Sequence, residues 1–226
     1  MSRKAFTLAE ILITLTVIGV VAALTIPSLL QNTNQAELKA GLKRNFADLQ
    51  QATLLIKNDQ GGSLVNAFPG DALGTESLKN AYRDKLSYIK ECRGDSSWGG
   101  SAGGGSSTLG CWHAEGKWKF LNGGLRGPIP LPGLVLSNGT LIYFRLGKSD
   151  CTDTSGNYFG YCAYFMMDVN GFKSPNTAGK DIYYILITDD GLMPFGAKGS
   201  FDVNDATYGC LSTAYGYTCA TKYLYD

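Results

Sequence analysis

The chain predicts an α+β fold, with one long N-terminal helix packed on an antiparallel β-sheet head, and three observations carry that expectation. Residues 6–30 form an almost unbroken apolar run that leads into an amphipathic stretch with apolar residues three and four apart. From Trp112 onward the pattern changes to short runs rich in Tyr, Ile and Phe, separated by turn residues. Six cysteines, an even number, all lie beyond the helical part. Helix first and strands after leaves a head of about 165 residues, enough to bury a core.

The apolar run carries one charge, Glu10, behind a basic start, MSRKA. Its twenty residues Ile11–Leu30 span about 30 Å at ~1.5 Å per residue, the thickness of a bilayer's hydrocarbon core. A secretory signal peptide has a core of about 7–15 apolar residues and then a cleavage site. This core is longer and flows directly into QAELKAGLKRNFADLQQATLLIKND. Arg3 and Lys4 place the short N-terminal end in the cytoplasm and everything after Leu30 outside. A carboxylate inside such a span costs roughly 2.5–3.5 kcal/mol on insertion scales, so Glu10 calls for a partner. Snorkelling to the cytoplasmic interface is the alternative.

The stretch R-K-A-F-T-L-A-E, with a small residue before Phe6 and Glu10 four residues after it, resembles the N-terminal motif of type IV pilins and type II secretion pseudopilins. The likeness covers Arg3 to Asp59, and Ala5 stands where the family usually has Gly. The resemblance implies a pilin-like fold with a leader, residues 1–5, that prepilin peptidase removes between Ala5 and Phe6. It implies N-methylation of the new Phe6 amine and a membrane-spanning, filament-core helix over residues 6–30. It also implies polymerisation with other pilins at an inner-membrane assembly platform. In that setting Glu10 of one subunit neutralises the Phe6 amine of its neighbour, a charge-assisted pair that offsets desolvation and fixes register. Gly19 and Pro27 fall where pilin helices loosen on assembly. Gly costs about 0.8–1 kcal/mol in a helix interior, and Pro27 removes the bond to the Ala23 carbonyl. Both residues are also commoner in membrane helices generally.

Residues 31–60 continue the helix. Leu38, Leu42, Leu49 and Ile56, with Phe46 and Thr53 between them, predict one apolar stripe, ended by Asp59-Gln60-Gly61-Gly62 after Asn58. The head is residues 61–226. A second helix is expected over Glu76–Glu91, with Thr75 as N-cap and Leu78, Tyr82, Leu86 and Ile89 inward. Arg93–Gly110 is a Gly/Ser-rich surface loop whose RGD tripeptide has low specificity. Ser137-Asn138-Gly139 predicts a hairpin between Leu134–Leu136 and Leu141–Phe144, and Tyr161–Val169 and Ile182–Thr188 are further strands.

Six cysteines in an oxidising compartment predict three disulfides, with fifteen connectivities open. Short loops favour Cys92–Cys111, Cys151–Cys162 and Cys210–Cys219, each worth about 2–4 kcal/mol. The last also resembles the C-terminal disulfide loop of many pilins. Zinc is disfavoured by the lack of a C-x-x-C pair and by a single histidine, His113. No Ser-His-Asp set, H-E-x-x-H or phosphate-cradling loop is present in the sequence, so no enzyme activity and no organic cofactor are expected. Asp168, Asn170 and Asp181 offer oxygen ligands for Ca²⁺, or else are turn residues bonding local amides. Tyr208, Tyr215, Tyr217, Tyr223 and Tyr225 offer a binding face, or else pack on strands. Asp189 and Asp190 read as surface residues without a structural part.

Net charge is +1, and loss of Arg3 and Lys4 leaves 18 basic against 19 acidic residues, so the totals give no broad basic field for nucleic acid. The expectation is a structural subunit of a type IV pilus-like filament, held in the bacterial inner membrane before assembly and displayed outside the cell afterwards. The alternatives are a pseudopilin of type II secretion and a minor tip pilin that binds a surface or DNA.

Overall fold

The computed structural model describes residues 7–68, 74–92, 111–113, 116–127, 129, 131–154 and 160–225. The chain divides into two compact units, Met1–Glu37 and Leu38–Asp226. Helix α1 (Leu8–Asp59) supplies the first unit and enters the second. It ends at the expected glycines, where the Gly62 amide reaches back to the Lys57 carbonyl at 2.8 Å with Gly61 and Gly62 both at positive φ.

The second unit is built on a six-stranded antiparallel sheet in the order β1-β4-β5-β6-β7-β8. Its strands are β1 (Tyr88–Cys92), β4 (Gly133–Leu136), β5 (Leu141–Leu146), β6 (Ala163–Asp168), β7 (Ile182–Thr188) and β8 (Gly191–Pro194). Strands β2 (Trp118–Lys119) and β3 (Leu125–Arg126) form a separate two-stranded sheet. Strands β4 to β8 follow one another as a meander, because each connection returns the chain antiparallel beside its predecessor. The β4–β5 hairpin is the one its Asn-Gly signal predicts, with Gly139 at φ 88°.

Alternate residues divide the sheet into two buried faces. On one, Leu134, Ile142, Phe144, Phe165, Ile185 and Ile187 form a single cluster with Leu42, Leu49, Ala52 and Ile56 of α1. Helix α2 (Gly74–Arg83) adds Leu78 and Tyr82 to the same cluster. On the other, Val135, Tyr143, Met166, Tyr184 and Leu186 pack with Trp112, Trp118 and Phe195 from the flanking segments.

Polar groups lock the helix to the sheet. The Asn45 amide donates to Thr140 Oγ1 at 2.9 Å and accepts from Asn138 at 2.7 Å, tying α1 to the hairpin turn. Thr53 Oγ1 gives its proton to the Leu49 carbonyl at 2.8 Å, so Tyr82 is the donor across the 2.6 Å contact between their hydroxyls. Burial pushes the Tyr82 phenol up, which keeps that donor protonated. Lys79, 1% exposed, pairs with Glu76 at 2.8 Å and with Glu91 of β1. The Lys79 ammonium holds Glu91 below the usual carboxylate range, chiefly by donating a hydrogen bond to it.

Three expectations for the second helix are corrected. The second helix does not run to Glu91: α2 ends at Arg83, and Tyr88–Cys92 is strand β1, paired with β4. Leu78 and Tyr82 are buried as the helical spacing requires, but Ile89 is 70% exposed on the sheet edge. Strand pairing and the Lys79–Glu91 contact outweigh a weak local helix preference. Thr75 is not a boundary residue but lies inside α2, where its hydroxyl accepts the Leu146 amide at 3.2 Å.

Of the last tyrosines, Tyr217 and Tyr223 pack on strand β7, against Tyr184 and Tyr183, as one of the two expectations has it. Tyr223 and Tyr225 belong to helix α3 (Cys219–Tyr225), where Tyr223 meets Tyr183 edge-on and carries Lys39 4.7 Å from its ring centroid. Tyr208, Tyr215 and Tyr217 pack from a loop segment.

Asp189 is not a bystander. Its Oδ1 accepts from Ser63 Oγ at 2.8 Å and from the Leu64 amide at 2.6 Å, while Lys57 donates to its carbonyl. It therefore pins the chain leaving α1 to the β7–β8 turn. The Leu64 amide leads the groups that hold its carboxyl below the usual range, followed by Ser63.

Replacing Asp189 with Ala is expected to lower the unfolding free energy of residues 38–226 by about 1–2 kcal/mol, read by urea denaturation at pH 7. A folded carboxyl below its unfolded value stabilises above that value and loses the contribution as pH falls through the folded one. The gap between wild type and variant should thus narrow below about pH 4.

Candidate functional site: the N-terminal helix, the buried carboxylates and an aromatic cleft

The start of α1 is a capping box. The Thr7 amide and hydroxyl donate to Glu10 Oε2 at 2.8 and 2.9 Å, and the Glu10 amide returns a bond to Thr7 Oγ1 at 3.2 Å. The residue that the sequence marks as a charge in need of a partner thus has local partners within its own chain. The sequence signal for it is T-x-x-E ahead of an apolar run. Ala5 and Phe6 lie outside the described residues.

Behind the cap, Leu8–Pro27 is long and apolar enough to cross a membrane, and none of it is buried. Leu12, Leu15, Ile18, Val21 and Leu24 are each more than half exposed, so apolar side chains surround the helix. A helix apolar on all sides requires an apolar environment. Thr14, Thr16 and Thr25 satisfy their hydroxyls on carbonyls three or four residues back. Gly19 meets no neighbouring atom, and α1 continues through Pro27.

In the head, the disulfides are Cys92–Cys111, Cys151–Cys162 and Cys210–Cys219. They anchor, in turn, the end of β1, the residue before β6 and the first residue of α3. The RGD tripeptide and the rest of 93–110 lie outside the described residues.

The carboxylates considered for Ca²⁺ face inward and are already engaged. Asp181 accepts the Asn176 and Thr177 amides at 2.7 and 2.6 Å, one on each oxygen. Asp168 accepts the Asn170 amide at 3.2 Å and lies 2.8 Å from His113 Nε2. Asn170 donates its side-chain amide to the Ser174 carbonyl. Among the described residues no group of three or more His, Cys, Asp and Glu is arranged to hold a metal. The turn-locking use is the one this geometry displays.

Burial raises Asp168, and burial together with the neighbouring Asp168 raises Asp181 to about 7. Burial lowers His113, whose ring is wedged edge-on between Trp112 and Phe172. Burial thus opposes the charged form of each of the three groups.

On the sheet's other face, Tyr217 lies tilted 4.0 Å from Tyr184 and Tyr208 stacks 4.3 Å from Phe201, measured between ring centroids. These rings and Tyr164 wall a cavity of about 330 Å³ that also takes in Arg145 and Asp153. Arg145 donates to the Tyr164 hydroxyl at 3.0 Å. Gly147 lies at its edge, where a β-carbon would come within 2.8 Å of both the Asp153 carboxylate and the Tyr161 ring. Sequence reading located Tyr208 and Tyr217 but not Arg145, Asp153 or Tyr164, because β5, β6 and the C-terminal segment meet only in the fold.

Compared with known proteins, the chain matches no family model, no curated protein and no solved structure.

The pH test follows from Asp181. Its folded value lies above its unfolded one, so its contribution is greatest in acid and is lost as pH rises through about 7. Between pH 5 and pH 8 the stability of Asp181→Asn relative to wild type should therefore rise, as measured by paired thermal melts.

Proposed function

We propose that this chain is the structural subunit of a type IV pilus-like filament, processed by prepilin peptidase and assembled through α1. The observation that carries the reading is the segment Leu8–Pro27: twenty residues, none buried, opening on one carboxylate. An apolar surface of that extent is covered by lipid before assembly and by neighbouring helices afterwards. The disulfide-stapled unit then lies on the oxidising side of the membrane.

The capping box gives this reading a mechanism. Thr7 holds the Glu10 carboxylate back toward the helix start, where processing between Ala5 and Phe6 would create an ammonium. A neighbouring subunit's ammonium then meets a carboxylate whose position is already set. An unpaired charge in an apolar bundle is costly, so subunits out of register are rejected. At Pro27 the helix lacks one donor, and Thr25 already bonds the Val21 carbonyl, so a local stretch there costs little.

Glu10→Ala should insert into the membrane at the wild-type level but reduce the sheared filament fraction by at least about tenfold, read by immunoblot of sheared and membrane fractions. A wild-type filament yield from the variant would show that the pair is dispensable.

A further inference from the structure

The aromatic cleft has a chemistry of its own. Tyrosine offers a flat apolar face and a hydroxyl at the edge of that face, and here Tyr164, Tyr184, Tyr208 and Tyr217 line one cavity. Burial pushes Tyr217 up to about 12 and raises Tyr184 as well, so both hydroxyls stay protonated at any physiological pH. Among the described lining residues the charged groups are one cation, Arg145, and one anion, Asp153. A polyanion would find a single countercharge and an opposing carboxylate. The volume, about 330 Å³, lies at the small end of ligand pockets, which run about 300–1,000 Å³.

We propose that this cleft binds a neutral saccharide, one pyranose ring lying against the tyrosine wall with its hydroxyls reached by Arg145 and Asp153. A pyranose has a C–H face that packs on an aromatic ring and a rim of hydroxyls that both donate and accept. Asp153 accepts from hydroxyls, Arg145 donates to hydroxyl and ring oxygens, and the tyrosine hydroxyls do either. The missing side chain at Gly147 leaves the Asp153 carboxylate its space. Arg145 is held against the wall by its bond to the Tyr164 hydroxyl, with its guanidinium 5.8 Å from that ring's centroid. The inference does not rest on filament assembly.

The test is saturation-transfer NMR on the full chain in micelles of a detergent without a sugar headgroup. The probes are glucose, galactose, mannose, N-acetylglucosamine and their β- and α-linked disaccharides. Transfer to the ring C–H protons of at least one of them is expected, weakened about tenfold or more in Tyr164→Ala. Arg145→Ala, a change at an exposed side chain, should weaken the same sugar and leave the circular dichroism and the three disulfides intact. Glutamine and glycine serve as zwitterionic probes, because an Arg and an Asp also suit an amino acid. Transfer to no sugar, transfer to the zwitterions alone, or sugar binding unchanged in both variants would each overturn the proposal.

Discussion

The unit Leu38–Asp226 depends on one constraint: a single stripe of α1 must be covered by the inner face of the sheet. Leu42, Leu49, Ala52 and Ile56 are each no more than 2% exposed, and the strands opposite present their alternate residues to the same cluster. Burial of that kind contributes about 1.5–3 kcal/mol per large side chain but does not choose a register. The choice falls to polar contacts that work at one alignment only: Asn45 on the hairpin turn, Thr53 with Tyr82, and Lys57 with Ser63 and Leu64 on Asp189. Breaking one leaves a buried or half-buried partner unsatisfied, so each discriminates more than it stabilises.

The same division explains what is legible in the sequence. Leu38 to Ile56 at spacings of three and four, the Asn138-Gly139 turn and the Ile182–Thr188 strand carry their information locally, and they form where that information puts them. Strand β1 and helix α3 do not. Tyr88–Cys92 becomes a strand because β4 offers it an edge, and Tyr223 earns its helical position against Tyr183 and Lys39. Asp189 and His113 look like surface and spare residues until the fold brings Leu64 and Asp168 to them, across more than fifty residues of chain.

The candidate sites divide similarly. Glu10 is conspicuous from composition alone, as one charge in an apolar run, while its bond to Thr7 is a four-residue pattern that draws no attention beside the larger anomaly. The cleft requires Arg145 from β5, Tyr164 from β6, Tyr184 from β7 and Tyr217 from the C-terminal segment, which no local pattern relates. The two features bear on different proposals: the helix on assembly, the cleft on what the head would hold. A tip subunit would use both.

The central claim is that α1 is a processed filament helix, and the mass of the chain's N-terminal peptide in the membrane fraction of cells with active prepilin peptidase tests it most directly. The account predicts a mature chain that begins at Phe6, lacks MSRKA and carries one added methyl group. A chain that retains Arg3, Lys4 and Ala5 in those cells would contradict it.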